Sequence, residues 1–258
     1  SRDRPAGLYR PRLLVAPFVD ALRQVEGWAV GFAAAGVTRA GAAVATHGDA
    51  RRAVRLASVS KPITALACLV AAEEGTLDLD EPAGPPGATV RHLLAHASGL
   101  PFEGHAVLAP PGRRRIYSNE GFRVLGEHLA KRAEMPFADY VRAAVVDPLG
   151  LELDPRGHPG AGMHGHLDDV LALGRELLAP TLVAPETLAE ATSVQFPGLS
   201  GVLPGFGRQA ANDWGLGFDL KDAKSPHWTG ARNSPATFGH FGGSGTFLWV
   251  DPDAGLAC

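Results

Sequence analysis

Apolar residues repeat at helical spacing through residues 57–75 and lie on nearly every side of the helix that this spacing predicts. Pro62 falls in the first turn, where backbone N–H groups have no intrahelical acceptor, and Gly75 ends the run. A helix that is apolar all round is expected to be buried. We therefore expect the rest of the chain to be organised around this segment.

The remaining stretches show either the three-and-four spacing of helices or the short apolar runs of strands. Helices are predicted at residues 17–25, 89–96, 120–133, 136–146, 167–179 and 185–193. Strands are predicted as a hairpin from 28–36 and 40–46, as single strands at 51–56, 215–220 and 246–250, and as the start of another after 251–255. Residues 197–213 are predicted to be a loop.

Strands fall at both ends of the chain and helices in the middle, which favours one antiparallel sheet built from the two ends. The predicted fold class is α/β (α+β), an antiparallel sheet flanked by helices with an inserted all-helical region. We expect a discontinuous sheet domain at 1–75 and 214–258 and a helical domain at 76–213.

Composition narrows the class of protein. The chain has 258 residues, of which 45% are hydrophobic and 20% charged, as in an ordinary globular protein. Its net charge of −3 predicts no general attraction to nucleic acid or to an anionic membrane. No apolar stretch reaches membrane-spanning length, and Cys68 and Cys258 suggest no disulfide framework. The N-terminal residues contain no signal-peptide core, so a cytoplasmic location is predicted.

Ser58 and Lys61 open the buried helix and lie one turn apart on the same face. A serine hydroxyl becomes a nucleophile when a neighbour removes its proton, and a desolvated lysine near a helix N-terminus can be neutral enough to do so. The alternative is structural: Ser58 or Ser60 caps the helix and Lys61 extends to water.

Tyr117 and Asn119 lie between a loop and a predicted helix, a position that presents polar side chains to a cleft. A tyrosine held between cations loses its phenolic proton more easily and can act as a base, and the amide can bind a substrate or Lys61. The alternative is that Ser118 or Asn119 caps the helix and Tyr117 only packs.

Residues 239–246 combine His240 with four glycines at the entry to a strand. Glycine allows a ligand to approach the backbone closely, and the Gly243 N–H could face an oxyanion. The alternative is a tight strand entry with a packed histidine.

Together, Ser58-x-x-Lys61, Tyr117-x-Asn119 and His240-x-Gly242 resemble the serine β-lactamase and penicillin-binding-protein superfamily. The tyrosine is similar to the class C branch with its esterases and D-aminopeptidases, as are residues 92–100 and 163–169. The resemblance implies a β-lactamase/transpeptidase-like fold with the active site between a sheet domain and a helical domain. It implies a C-terminal helix as well, and because the chain stops at Cys258 we expect the fold without that helix.

The resemblance also implies a role for each motif residue. Ser58 would be the nucleophile, and Lys61 and Tyr117 would share the acid and base work. Asn119 would position the substrate, the N–H groups of Gly243 and Ser58 would form an oxyanion hole, and the His240–Gly242 strand would line the cleft. No cofactor and no metal are implied.

The family's lysine is replaced by His240, which at its ordinary pKa is mostly neutral at pH 7. This favours a serine hydrolase of small esters or amides over a β-lactamase. A β-lactamase, a D-Ala-D-Ala carboxypeptidase and a non-catalytic penicillin-binding or sensor module stay open as alternatives. The expected partner is therefore a small-molecule ester, amide or β-lactam, and no oligomeric state is assigned.

Three other groups of residues have open interpretations. The arginine run 113–115 is expected to be solvated, although one arginine could replace the missing cation. The histidines at 158, 164 and 166 favour a loop over a metal site. Trp214 and Trp228, near the predicted cleft, are interpreted as packing anchors or as a substrate platform.

Overall fold

A computed structural model describes residues 16–258. Its helices are α1 (Ala16–Leu22), α2 (Ser60–Glu73), α3 (Val90–Leu94), α4 (Asn119–Arg132), α5 (Phe137–Val141), α6 (Leu167–Leu178) and α7 (Pro185–Ala191). Its strands are β1 (Ala35–Arg39), β2 (Ala42–His47), β3 (Val54–Arg55), β4 (His164–Gly165), β5 (Gly201–Leu203), β6 (Gly207–Gln209), β7 (Asp219–Leu220), β8 (Phe238–Phe241), β9 (Phe247–Asp251) and β10 (Leu256–Ala257).

Six of these strands form one antiparallel sheet in the order β2-β1-β10-β9-β8-β7. Strands from the N-terminal and C-terminal parts of the described chain pair within this sheet, where Thr38 of β1 lies opposite Ala257 of β10. The predicted antiparallel sheet with flanking helices is thereby confirmed. The expected absence of a C-terminal helix stays a prediction.

Helix α2 lies in the core, and every residue from Ser60 to Ala71 is buried. Helix α6 packs on the sheet and approaches it closely at a glycine. A Cβ at Gly174 would lie 2.9 Å from the Ala257 Cβ, so a larger residue would push the helix away from β10. Both helices are buried through their apolar faces. This burial holds the N-terminus of α2 in place against the rest of the core.

The opposite face of β1 and β2 is covered by α1 and by a 3₁₀ turn at Arg23–Gly27. Leu22 and Val25 pack there against Val37 and Ala45 in a second, smaller apolar cluster. The sheet is thus sandwiched at this end between the first helix and α6.

The structure differs from the predicted strands and loop in four places. Residues 28–34 form no strand, and β3 pairs with β4 instead of joining the main sheet. The predicted strand at 215–220 is reduced to β7. The predicted loop contains the hairpin β5–β6, whose short strands are concealed in the sequence by three glycines and a proline.

The predicted division into two domains stays a prediction. Helix α6, which falls within the predicted helical domain, packs on the sheet. No helix between residues 16 and 258 is long and apolar enough to cross a membrane.

Candidate active site

Ser58 lies in a 3₁₀ turn, Ala57–Val59, immediately before α2. The preceding residue, Ala57, has φ of 47°, a left-handed conformation that is strained for a residue with a side chain. Neither the turn nor α2 has a side-chain N-cap, and Ser60 Oγ instead accepts a hydrogen bond from Met163 N–H. The helix-capping alternative for Ser58 and Ser60 is therefore wrong.

Lys61 is completely buried, so the alternative in which it extends to water is also wrong. Its Nζ lies 3.2 Å from Ser58 Oγ, 2.7 Å from Asn119 Oδ1 and 2.8 Å from Gly160 O. Burial lowers the pKa of Lys61 well below its usual value, and none of the described carboxylates forms a salt bridge with it.

The oxygens around Lys61 define what a neutral amine would do. Asn119 Oδ1 and Gly160 O can only accept, so they take the two N–H groups of a neutral amine. The third tetrahedral position, which then carries the lone pair, faces Ser58 Oγ. This geometry allows Lys61 to take the serine proton.

Tyr117 donates from its hydroxyl to Ser58 Oγ at 2.8 Å. Burial raises the pKa of Tyr117 above its usual value, although the hydrogen bond to Ser58 acts in the opposite direction. The expectation that this tyrosine readily loses its proton is therefore corrected: in the resting site it is a phenol and a proton donor.

The residues around Tyr117 hold it in place. Ser118 caps α4, because its Oγ accepts from Gly121 N–H at 2.7 Å, and its own N–H donates to His96 Nδ1. The capping alternative for this motif thus holds for Ser118, while Tyr117 and Asn119 on either side contact Ser58 and Lys61. The ring of His96 also packs on Tyr117, 4.6 Å between centroids.

His240 is completely buried on β8, and one hydrogen bond sets the tautomer of its ring. Nδ1 lies 2.8 Å from the carbonyl of Phe241, which can only accept, so Nδ1 carries the proton. Nε2 is then an acceptor, 3.5 Å from the Tyr117 hydroxyl. Burial lowers the pKa of His240 to about 3, and the ring is neutral at pH 7.

The two neighbouring glycines have different surroundings. A Cβ at Gly242 would lie 2.7 Å from Leu56 O and 3.2 Å from the Ala57 Cβ, so glycine allows this strand end to pack against the serine turn. A Cβ at Gly243 would meet nothing within 4 Å. Within the described chain, the Gly243 N–H has no acceptor and is exposed, as an oxyanion donor must be.

The family model described as Beta-lactamase matches residues 15–258, nearly the whole chain. The chain belongs to the beta-lactamase family. A solved structure described as a beta-lactamase from Mycobacterium bovis has a TM-score of 0.90 and 52% identity, covering 92% of this chain and 89% of that one.

Two curated relatives of the chain are described as proteins other than β-lactamases. Esterase EstB of Burkholderia gladioli is 26% identical over 72% of each chain. A penicillin-binding protein of Bacillus subtilis (strain 168) is 30% identical over 37% of this chain and only 29% of its own length. These matches, with the family model, show a hydrolase of the serine β-lactamase and penicillin-binding-protein superfamily.

The arginine run of this family member is not the uniform solvated segment that its composition predicts. Arg113 and Arg114 are exposed, but Arg115 is buried and donates to the carbonyls of Ala95, Gln195 and other loop residues. Burial lowers its pKa to about 10. Its guanidinium is used to join three loops behind Tyr117, so it does not replace the cation missing at His240.

Sequence reasoning did not single out Gly160, whose carbonyl binds Lys61, or His96, which supports the tyrosine loop. The sequence does carry a signal for Gly160, since residues 157–162 contain three glycines. The fold explains the glycine, because a Cβ at Gly160 would lie 2.8 Å from the Phe122 Cβ. Of the two tryptophans, Trp214 is a buried anchor that packs on His240, whereas Trp228 is partly exposed.

Proposed function

We propose that this chain is a class C-like serine hydrolase that cleaves small esters or amides through an acyl-enzyme and prefers substrates without a carboxylate. The preference rests on one observation, the tautomer and neutral charge of His240. Its only N–H is used by the Phe241 carbonyl, so the face directed at Tyr117 offers a neutral acceptor instead of a cation.

In acylation, Lys61 takes the Ser58 proton and Ser58 Oγ attacks the substrate carbonyl carbon. The Gly243 and Ser58 N–H groups stabilise the oxyanion, and Tyr117 protonates the departing oxygen or nitrogen. The proton on Lys61 then returns to Tyr117, which leaves both groups as they began. In deacylation a water molecule takes the place of Ser58, and Ser58 becomes the leaving group that Tyr117 protonates.

A carboxylate would be poorly held in this cleft. Neutral His240 presents a lone pair, which repels a carboxylate oxygen instead of donating to it. A charge-assisted hydrogen bond contributes about 1.5–3 kcal/mol, so its absence costs roughly ten- to a hundredfold in kcat/KM. Esters without a carboxylate lose nothing, and the description of EstB as an esterase supports this assignment.

A β-lactamase is the second candidate, favoured by the 52% identity to a structure described as one. A D-alanyl-D-alanine carboxypeptidase is a further candidate, because AmpH of Escherichia coli, a relative with that description, aligns with this chain over 43% of its own length. That reaction would require the C-terminal carboxylate of its substrate to be bound. A non-catalytic module is disfavoured because Ser58, Lys61 and Tyr117 keep a complete path for the proton.

The test compares kcat/KM for p-nitrophenyl acetate with that for a chromogenic cephalosporin, each repeated with Ser58→Ala. We expect ester cleavage to exceed cephalosporin cleavage and both to disappear in the variant. Efficient cephalosporin turnover with negligible ester cleavage would support the β-lactamase candidate instead.

A further inference from the structure

Three aromatic side chains form a continuous surface beside His240, which we call the aromatic wall: Phe206, Phe241 and Trp228. The Phe241 ring lies 5.8 Å from Phe206 and 5.4 Å from Trp228 between centroids. Each of the three is partly exposed, in contrast to the fully buried aromatic residues of the core. Aromatic surface left open to solvent beside a reactive group is a feature of ligand sites.

Trp228, one member of the wall, is held in position by a buried charge. The carboxylate of Asp219, completely buried on β7, accepts from Trp228 Nε1–H at 2.6 Å and from His227 Nε2 at 3.0 Å. It also forms an ion pair with Lys224, which is itself buried. Because the Trp228 indole is fixed by its N–H, its ring is pre-organised for contact with a ligand.

The wall adjoins the catalytic residues. Phe241 directly follows His240, and the two rings are 5.9 Å apart between centroids. Phe206 is carried by the turn of the hairpin β5–β6, which starts at Gly201 beside Arg115, two residues before Tyr117. The hairpin therefore reaches from the tyrosine loop to the end of β8.

We propose that the aromatic wall binds the apolar part of the leaving group, so that esters of aromatic or long-chain alcohols are the preferred substrates. This inference rests on the proposed function. The leaving group departs toward the proton donor, Tyr117, whose hydroxyl lies 3.5 Å from His240 Nε2. The wall continues from His240 through Phe241, and its side chains offer the substrate no charge.

Two ester series separate the leaving group from the acyl group. The first has one acyl group and two alcohols, 1-naphthyl acetate and ethyl acetate. The second has one alcohol and two acyl groups, p-nitrophenyl butyrate and p-nitrophenyl acetate. In Phe206→Ala we expect the naphthyl-to-ethyl ratio of kcat/KM to fall about tenfold, mainly through KM, while the butyrate-to-acetate ratio stays within about twofold.

Val202→Ala is the matched control, since Val202 lies on the same hairpin and is 58% exposed, and both ratios should be unchanged. Trp228→Ala is expected to act like Phe206→Ala. An equilibrium readout covers variants that turn over slowly: 1-naphthol should inhibit the wild type competitively, with a Ki raised about tenfold in Phe206→Ala.

An unchanged naphthyl-to-ethyl ratio in Phe206→Ala, with unchanged inhibition by 1-naphthol, would overturn the inference. A fall in the butyrate-to-acetate ratio alone would overturn it too, because it would put the wall on the acyl side. Both results differ from failure of the proposed function, in which wild-type p-nitrophenyl acetate cleavage is absent or survives Ser58→Ala.

Discussion

Replacement of the buried histidine by lysine tests the basis of substrate choice. His240→Lys puts an ammonium at the place where the family's β-lactamases carry one. A new charge-assisted hydrogen bond to a substrate carboxylate contributes about 1.5–3 kcal/mol, which corresponds to roughly ten- to a hundredfold in kcat/KM. Burial and the charge of Lys224 oppose another buried cation while Asp219 favours it, so we expect the lower end, about tenfold.

The assay is the ratio of kcat/KM for a chromogenic cephalosporin to that for p-nitrophenyl acetate. His240→Gln is the matched control, because glutamine is polar but carries no charge, and it should leave the ratio within about threefold. The ratio should rise in His240→Lys through a lower KM for the cephalosporin. If His240→Lys still forms an acyl-enzyme on Ser58 but shows no rise in the ratio, carboxylate binding does not depend on this position, contrary to our prediction.

Three further predictions concern the same site. Tyr117→Phe should lower kcat for ester hydrolysis by about 10²–10⁴-fold, since it removes the proton donor, and full turnover would contradict this role. Gly242→Ala should lower the free energy of unfolding by about 1–3 kcal/mol, because its Cβ would meet Leu56 O at 2.7 Å, whereas Gly243→Ala has open space and should keep wild-type stability in urea unfolding. Because the pKa of His240 is lowered from 6.5 to about 3 by folding, the unfolded state binds the extra proton, and stability should be lost as pH falls from about 6.5 toward 3, with a limiting slope of about 1.4 kcal/mol per pH unit. His240→Gln should reduce that slope in urea titrations across this range, and an unchanged slope would contradict burial of a neutral imidazole.

Features that depend on neighbouring residues could be predicted from the sequence. Ser58 and Lys61 are one helical turn apart, so their contact follows once the helix is predicted. Helices α2, α4, α6 and α7 all fall where apolar spacing predicts them. The pairing of the N-terminal and C-terminal strands also follows, because most of the strands that the sequence predicts fall near the two ends of the chain.

Features that depend on distant partners could not be predicted in this way. The buried position of Arg115 is set by carbonyls 20 and 80 residues away along the chain, which a local run of three arginines does not reveal. The hairpin β5–β6 is stabilised by its position beside Arg115, although its glycine-rich strands have weak propensity. The aromatic wall brings together residues from three separate segments.

The raised pKa of Tyr117 is a further example. From the sequence, a tyrosine held between cations is expected to lose its phenolic proton more easily. In the folded chain Lys61 is desolvated and Arg115 is engaged by carbonyls, so burial of the phenol outweighs any neighbouring positive charge. Whether a cation acts on a neighbour depends on its own surroundings, which only the fold determines.

The most direct test of the central claim is the mass of the intact protein after a short reaction with p-nitrophenyl acetate or with a fluorophosphonate. We predict one covalent adduct per chain, located on Ser58 by peptide mapping, absent in Ser58→Ala and strongly slowed in Lys61→Ala. Ester hydrolysis without any adduct on Ser58, or an adduct that forms equally fast in Lys61→Ala, would contradict it.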